Sequence, residues 1–440
     1  MTLAFEAEWE TLHSGSREER ACFAALGIRS QDSWLTTAHD AFVQRLRSKV
    51  HLSAYHLAEW LAWNFWRLRC EPRTAQPDWP LAHRLTTIGG GYVWPNITIF
   101  SDGERIALLA KPTRLRPQEP LRYVADQAIV VQASEFEHAV DLFIQQVRGQ
   151  LLAEGLATTN LHAIWEDVLA ERRDRQRATL RTLEALLGFD PDEAEPGLIA
   201  ALTGDAQAVG QRAIQELAAA ATRGTGDGPH LFSAAQLQET ARASGFDTNP
   251  SDAVRLVVGT PLSQPGVVPA WKRGAEAARA LRSQQQLGTA PIPNDRLAEL
   301  AGVPARILTD RTVGPSFSFA LDHSASSGRV VLRSKWETGC RFEVARLLGD
   351  RFLGSGEEPL LPATRAATYR QKAQRSFAAE LLCPIEALTE LLSGDFSSES
   401  TEDAAARFHV SERTVLTLLG NHGLIDRESL DEDFVAASVW

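Results

Sequence analysis

A multidomain α+β protein is the fold class this sequence predicts, and three observations predict it. The chain has 440 residues, 44% hydrophobic and 23% charged, which suffices for several cores of ordinary globular composition. Hairpin patterns occur in both halves, at Tyr92–Phe100 with Arg105–Ala110 and at Ser316–Asp322 with Arg329–Ser334. Long helical patterns rich in Ala, Leu, Glu and Arg separate and flank them. The expected organisation is a mixed α/β N-terminal domain over 1–155, a helical region over 156–228, a linker with a short helix over 229–269, and a C-terminal domain over 270–440.

Charge and cysteine usage narrow the function classes. A net charge of −11 argues against a chain whose main task is holding nucleic acid, because phosphate neutralisation by Lys and Arg dominates that affinity. The cysteines, Cys22, Cys70, Cys340 and Cys383, form no CxxC pair and read as reduced thiols of a cytoplasmic protein. The N-terminus has no basic segment followed by an apolar core, and no run of about 18 apolar residues occurs, so neither secretion nor membrane contact is expected.

Residues 33–70 read as helices ending in LAEWLAWNFWRLR, where Leu57, Trp60, Leu61, Trp63, Phe65, Trp66 and Leu68 cover nearly the whole circumference. A helix apolar all round is buried, so these tryptophans are expected in the core and not as a stacking platform. Gly89–Gly91 precedes a strand and no GKS or GKT follows, so it reads as a turn into the hairpin and not as a phosphate loop. The run Ala128–Gln132 and a helix from Glu135 to Ala153, with Phe136, Val140, Phe143, Ile144 and Val147 on one face, complete the first domain.

Between Leu161 and Arg223 the pattern is helical, and ERRDRQRATLR, bracketed by acids, reads as a solvated face. Gly224–Pro229 reads as a linker. No catalytic set stands out: His51, His56 and His83 would need Asp78 or Asp102 for acid/base work, and His323, His409 and His422 would need the fold to gather them around a metal.

Two helices organise the C-terminal domain: RFEVARLLGDRFL, Arg341–Leu353, and RQKAQRSFAAELLCP, Arg370–Pro384. In the first, Phe342, Ala345, Leu348 and Gly349 share a face, while Arg346 and Asp350 stand one turn apart. In the second, Phe377, Leu381 and Leu382 form the apolar face, and Pro384, with no amide donor, ends the helix. Upstream lie Gly274, Ala278, Leu281 and Arg282 in one helical pattern and Leu297, Ala298, Gly302 and Val303 in the next. Downstream, TEDAAARFHVSERTVLTLLGNHGLI forms a helix pair whose turn is Val410-Ser411, with Ser411 capping the second helix. The first turn of that helix offers Glu412, Arg413 and Thr414 to any DNA groove.

Together these motifs, spanning about Ala270 to Asp426, resemble the ImmA/IrrE metallopeptidase family. The resemblance implies a zincin-like domain with a helix-turn-helix-like end. It also places the two family histidines on Arg346 and Asp350, the general-base glutamate on Leu347 and the third ligand on Gln371. The family's HExxH has become RLLGD. Arginine does not ligate zinc and leucine takes no proton, so no catalytic residue, no metal and no other cofactor is expected at these four vestigial positions. The i, i+4 spacing predicts an Arg346–Asp350 ion pair with Gln371 as an uncharged partner. The implied function is that of a non-catalytic regulatory or partner-binding protein in bacterial stress response, toxin–antitoxin control, or phage and mobile-element defence, its partner a protein regulator or toxin. The alternatives are a hydrolase with a displaced or non-zinc site, and a transcriptional regulator that holds nucleic acid through the closing helix pair.

Overall fold

A computed structural model describes residues 3–113, 120–221, 231–257, 261–310, 314–354 and 358–426. The chain divides into two compact units, Met1–Glu195 and Pro196–Trp440, and both mix helix with antiparallel sheet. The linker expected at Gly224–Pro229 lies outside the described residues. Among the described residues no helix is long and apolar enough to cross a membrane.

The first unit runs β1 (Leu3–Trp9), α1 (Arg17–Ala21), β2 (Phe23–Ser30), β3 (Ser33–Trp34), β4 (Ala38–Asp40), β5 (Arg45–Arg47), β6 (Val50–Ser53), α2 (Ala54–Trp63), α3 (Phe65–Cys70) and α4 (Trp79–His83). It continues with β7 (Ile97–Ser101), β8 (Arg105–Ala110), β9 (Leu121–Tyr123), β10 (Gln127–Gln132), α5 (Ala133–Ala153), α6 (Asn160–Arg173) and α7 (Arg175–Leu186). Residues 33–53, expected as helix, are instead strands β3 to β6. β3 and β5 fold back on their neighbours β2 and β4, while β6 pairs with β2 and β4 with residues 121–123, and such distant partners override local helical preference. Strand β2 pairs with β1 from Leu3↔Ser30 to Trp9↔Ala24 and with β6 through Phe23↔Ser53. The expected hairpin is present as β7–β8, turned at Gly103 with φ 97°, and β10 extends it into the order β10-β8-β7.

Helix α5 buries Phe136, Val140, Phe143, Ile144, Val147 and Leu151, the face that its spacing implies. The tryptophan stretch behaves differently from expectation. It breaks at Asn64 into α2 and α3; Trp66 is buried and Trp60 half-buried, but Trp63 is 53% exposed. The helical region expected over 156–228 is shared between the units. Leu161 and Trp165 of α6 and Ala185 of α7 join the first core, whereas the helices from Pro196 onward lie in the second unit. Asp174 caps α7 by accepting from the amides of Gln176 and Arg177. The basic run there is clamped as well as solvated: Arg172 meets Asp141 at 2.6 Å, and Arg181 meets Glu171 at 2.6 Å, Glu184 at 2.7 Å and Asp192 at 2.8 Å.

The second unit runs α8 (Pro196–Val209), α9 (Gln211–Ala220), α10 (Ala234–Ser244), β11 (Phe246–Thr248), α11 (Ala270–Gln284), α12 (Asn294–Ala301), β12 (Ser318–Ser324), β13 (Ser327–Val331), α13 (Glu337–Leu353), β14 (Leu360–Ala363), α14 (Tyr369–Leu382), α15 (Ile385–Leu392), α16 (Ser398–Phe408) and α17 (Glu412–Asn421). The expected hairpin is β12–β13, within a sheet of order β11-β13-β12-β14. Strand β11 comes from the stretch expected as linker and short helix, so that stretch contributes to the sheet through Phe246↔Val330.

Small residues set how closely the central helices approach. A Cβ on Gly274 would lie 2.2 Å from the Ala373 carbonyl oxygen, and one on Gly349 would lie 2.5 Å from the Phe377 ring. Only hydrogen at these two positions lets α11 and α13 seat against α14 at this distance. Helix α12 ends at Gly302 in the left-handed region, φ 65°, with the Val303 amide donating to the Ala298 carbonyl at 3.0 Å.

Candidate functional site

Arg346, Leu347, Asp350 and Gln371, the four positions singled out in the sequence, lie where α13, α14 and β14 meet. The helices run in opposite directions there, so Asp350 faces Arg370 and Arg346 faces Gln371 and Gln374. Leu347 is 4% exposed and part of the apolar core.

The expected Arg346–Asp350 ion pair does not form. Arg346 Nη2 donates to the Gln371 side-chain oxygen at 2.5 Å, to the Thr364 carbonyl at 2.7 Å and to Gln374 at 3.3 Å. Asp350, fully buried, is gripped through both oxygens by Arg370, Nε at 2.8 Å and Nη2 at 2.7 Å. Helical spacing brings Arg346 and Asp350 to one face, but a bidentate fork from the neighbouring helix satisfies both carboxylate oxygens at once. Arg346 is then drawn to the carbonyl where β14 ends.

Gln371 is the hinge of the arrangement. Its side-chain oxygen accepts from both Arg346 and the Thr364 amide, 2.8 Å, and its amide nitrogen donates to the Pro362 carbonyl, 2.9 Å. A carboxylate at this position would lose the donor that β14 uses. Thr368 caps α14 by accepting from the Gln371 amide, and its hydroxyl donates to Glu216 of α9 at 2.6 Å.

The electrostatics follow from these partners. Burial pushes the pKa of Arg346 down to about 9, and Arg375 nearby adds to that; Glu343 and Asp350 oppose it. Its Nε has no hydrogen-bond partner among the described residues. Arg375 itself is pushed down to about 10 by burial, its guanidinium held on the Ala366 carbonyl. Burial also works against the charge on Arg370, but Asp350, Glu216 and Glu358 outweigh it and its pKa rises. Burial raises the pKa of Glu216, opposed by Arg370 and Thr368. Arg370 therefore brings a fixed positive charge to a group of buried or half-buried carboxylates.

Sequence reasoning missed three neighbours. Glu343, one turn before Arg346, accepts from Ser318 Oγ and from the amides of Arg333 and Ser334. Arg370 and Glu216 were missed as well. A lone Glu, Arg or Glu in a helical pattern carries no signal of burial, and only the crossing of the helices brings these together. Arg282 and Arg341, positions the family pattern shares, act as ties: Arg282 donates to the carbonyls of Gly288, Ala290 and Leu381, and Arg341 to those of Ile292 and His409 and to Asn294.

A zinc ion does not suit this set, because arginine and leucine supply no lone pair to a cation and the one carboxylate present is saturated by Arg370. Among the described residues no group of three or more His, Cys, Asp or Glu side chains is placed to hold a metal ion. The other histidines are scattered. His323 ends β12, His409 is the left-handed cap of α16, and His422 packs edge-on against Trp271. In the first unit, His83 does not join Asp78 or Asp102. Its Nδ1 donates to the Ile99 carbonyl at 2.7 Å, its Nε2 faces Glu71 at 2.9 Å, and its ring stacks on Trp79. His51 pairs with Glu10, and His56 lies against Gly90, whose added Cβ would be 2.8 Å from Nδ1.

The cysteines are all buried and free; burial pushes Cys22 and Cys383 up to about 12 and Cys340 to about 11, so their thiols stay protonated. In the closing helix pair, Ser411 caps α17 through the Thr414 amide. Thr414 is buried, Glu412 half-buried and Arg413 exposed, so Arg413 is the residue of the three that a groove would meet. No family model, no curated protein and no solved structure matches this chain.

Proposed function

We propose that this chain is a non-catalytic regulatory or partner-binding protein built on an ImmA/IrrE-like fold that has lost its zinc site, acting on a protein regulator or toxin in bacterial stress response, toxin–antitoxin control or phage defence. The observation that carries the reading is the pair of polar links at the vestigial positions. The Arg370–Asp350 fork and the Arg346–Gln371–Thr364 cluster join the two helices that a metal at those positions would join, and the cluster also ties in the residue after β14. A zincin helix pair without its ion needs such a replacement, since a buried ligand left unsatisfied is costly. The family setting rests on the resemblance in the helix and hairpin motifs and on nothing else.

Elemental analysis of the purified chain tests the reading: no stoichiometric zinc is expected. One zinc per chain, lost together with activity when Asp350→Ala is introduced into a folded protein, would overturn it. The combined change Arg346→His, Leu347→Glu, Asp350→His, Gln371→Glu with Arg370→Ala should restore zinc binding before any proteolysis, because a metal site needs only its donors whereas cleavage also needs a substrate groove.

A further inference from the structure

Outside that centre, the clearest built feature is the hairpin β4–β5 of the first unit. Asp40 organises its tip: Oδ1 accepts from the amides of Phe42 at 3.0 Å and Val43 at 3.3 Å, and Oδ2 meets Arg47 Nε at 2.9 Å. The Ala41 amide donates to the Pro120 carbonyl, and Gln44 turns the chain with φ 50°. This ordered tip holds Phe42 84% exposed, Val43 47% and Leu46 67%. One face of the small sheet is anchored by buried Ala38 and Tyr123, which pair with each other across the strands. The opposite face carries Leu46, His39 and Arg122 in one cross-strand row.

Strand β5 is an edge, paired with β4 alone among the described residues. Along it Arg45, Leu46 and Arg47 alternate, two cations to one side and one apolar residue to the other. Asp40 is the one acid among the residues of these three strands, and it is already engaged. In a chain of net charge −11 the hairpin is thus a local cationic edge with an apolar tip. Edge arginines alone serve to guard a strand against aggregation, but an aromatic presented at 84% exposure has no use in that role. Aromatic and arginine side chains together are the composition of binding hot spots.

We propose that β5 and the Phe42 tip form a docking edge for an extended protein segment that alternates acidic and apolar residues. Such a strand, added to β5, places an acid beside the exposed Arg45, an apolar residue beside Leu46 and an apolar group over Phe42, while Arg47 stays on Asp40. Single-stranded nucleic acid fits less well: Phe42 alone offers a face for a base, Val43 and Leu46 do not stack, and a long polyanion meets the chain's overall negative charge. A short acidic segment meets only the local field. The proposal extends the partner-binding reading to a surface in the other unit, and its probe reads that edge alone, so its failure leaves the reading of Arg346 and Asp350 standing.

The test is fluorescence anisotropy of the full chain with a fluorescein-labelled peptide alternating glutamate and valine, beside a lysine–valine peptide, labelled oligothymidine and phosphatidylserine vesicles. The glutamate peptide is expected to bind saturably at micromolar concentration, and Phe42→Ser and Arg45→Glu each to weaken it by about tenfold or more. Circular dichroism and melting temperature should be unchanged in both variants, since both side chains are exposed. No binding of that peptide, binding that the variants leave intact, Phe42-dependent binding of oligothymidine or vesicles in its place, or Phe42-dependent dimerisation by sedimentation would each overturn the proposal.

Discussion

Arg67 of the first unit and Arg346 of the second are buried to the same extent, 7% exposed each, yet their surroundings push them in opposite directions. For Arg67, burial opposes the charge but Glu71, at 2.7 Å, and Asp190 outweigh it, and its pKa is raised. Glu71 is correspondingly lowered: burial opposes its charge, and His83 and Arg67 prevail. Arg346 has neutral oxygens around it and is pushed down to about 9. The difference shows that equal burial does not mean equal energetic role: the first arginine belongs to a compensated charge cluster, while the second is a donor to uncharged acceptors.

The comparison is broken or sharpened first by removing charge partners. Asp350→Ala should cost about 3–5 kcal/mol, because it leaves the half-buried Arg370 with only the weaker Glu358 contact, 3.3 Å, and Arg67→Met should cost a similar amount by leaving the buried Glu71 with His83 as its one remaining cationic partner among the described residues. Urea unfolding followed by tryptophan fluorescence reads both; losses below about 1 kcal/mol would mean that these pairs behave as surface bridges.

A smaller effect is expected from Arg346→Met, within about 1.5 kcal/mol of the native chain. The methionine fills similar volume, the Gln371 oxygen keeps the Thr364 amide, and the cost of burying the cation disappears. If Arg346→Met proved as damaging as Arg67→Met, the distinction between the two arginines would fail.

The smallest effect concerns pH. Glu216 has a raised pKa in the folded chain, so its contribution to stability is fully present below the usual carboxylate value near 4.5 and is lost as pH rises through the raised one. Glu216→Gln keeps an acceptor for Thr368 without that titration. Relative to this variant, the native chain should lose stability as pH rises above 4.5; a difference that stays flat there would show that Glu216 is not protonated on burial.

Much of the scaffold was legible because its signals are local. The apolar face of α5, the hairpins at Gly103 and between β12 and β13, the Ser411 cap and the end of α14 before Pro384 all follow from residue spacing or backbone chemistry within one turn. Strands β3 to β6 were not legible, since each is at most four residues long and β4 and β6 owe their state to distant partners. Trp63 likewise looked buried by pattern, and the break at Asn64 leaves it exposed.

By itself, then, the sequence determined the α+β character and the helices that carry Arg346, Leu347, Asp350 and Gln371, because side-chain identity and helical period are local properties. The tertiary structure alone decided which groups meet. Arg370 takes Asp350 and Gln371 takes Arg346 because two antiparallel helices, held close at Gly349, fix distances between residues apart in the chain, and α9 brings Glu216 to Thr368 in the same way. Charge compensation in a buried site depends on those distances, and no one-dimensional spacing contains them.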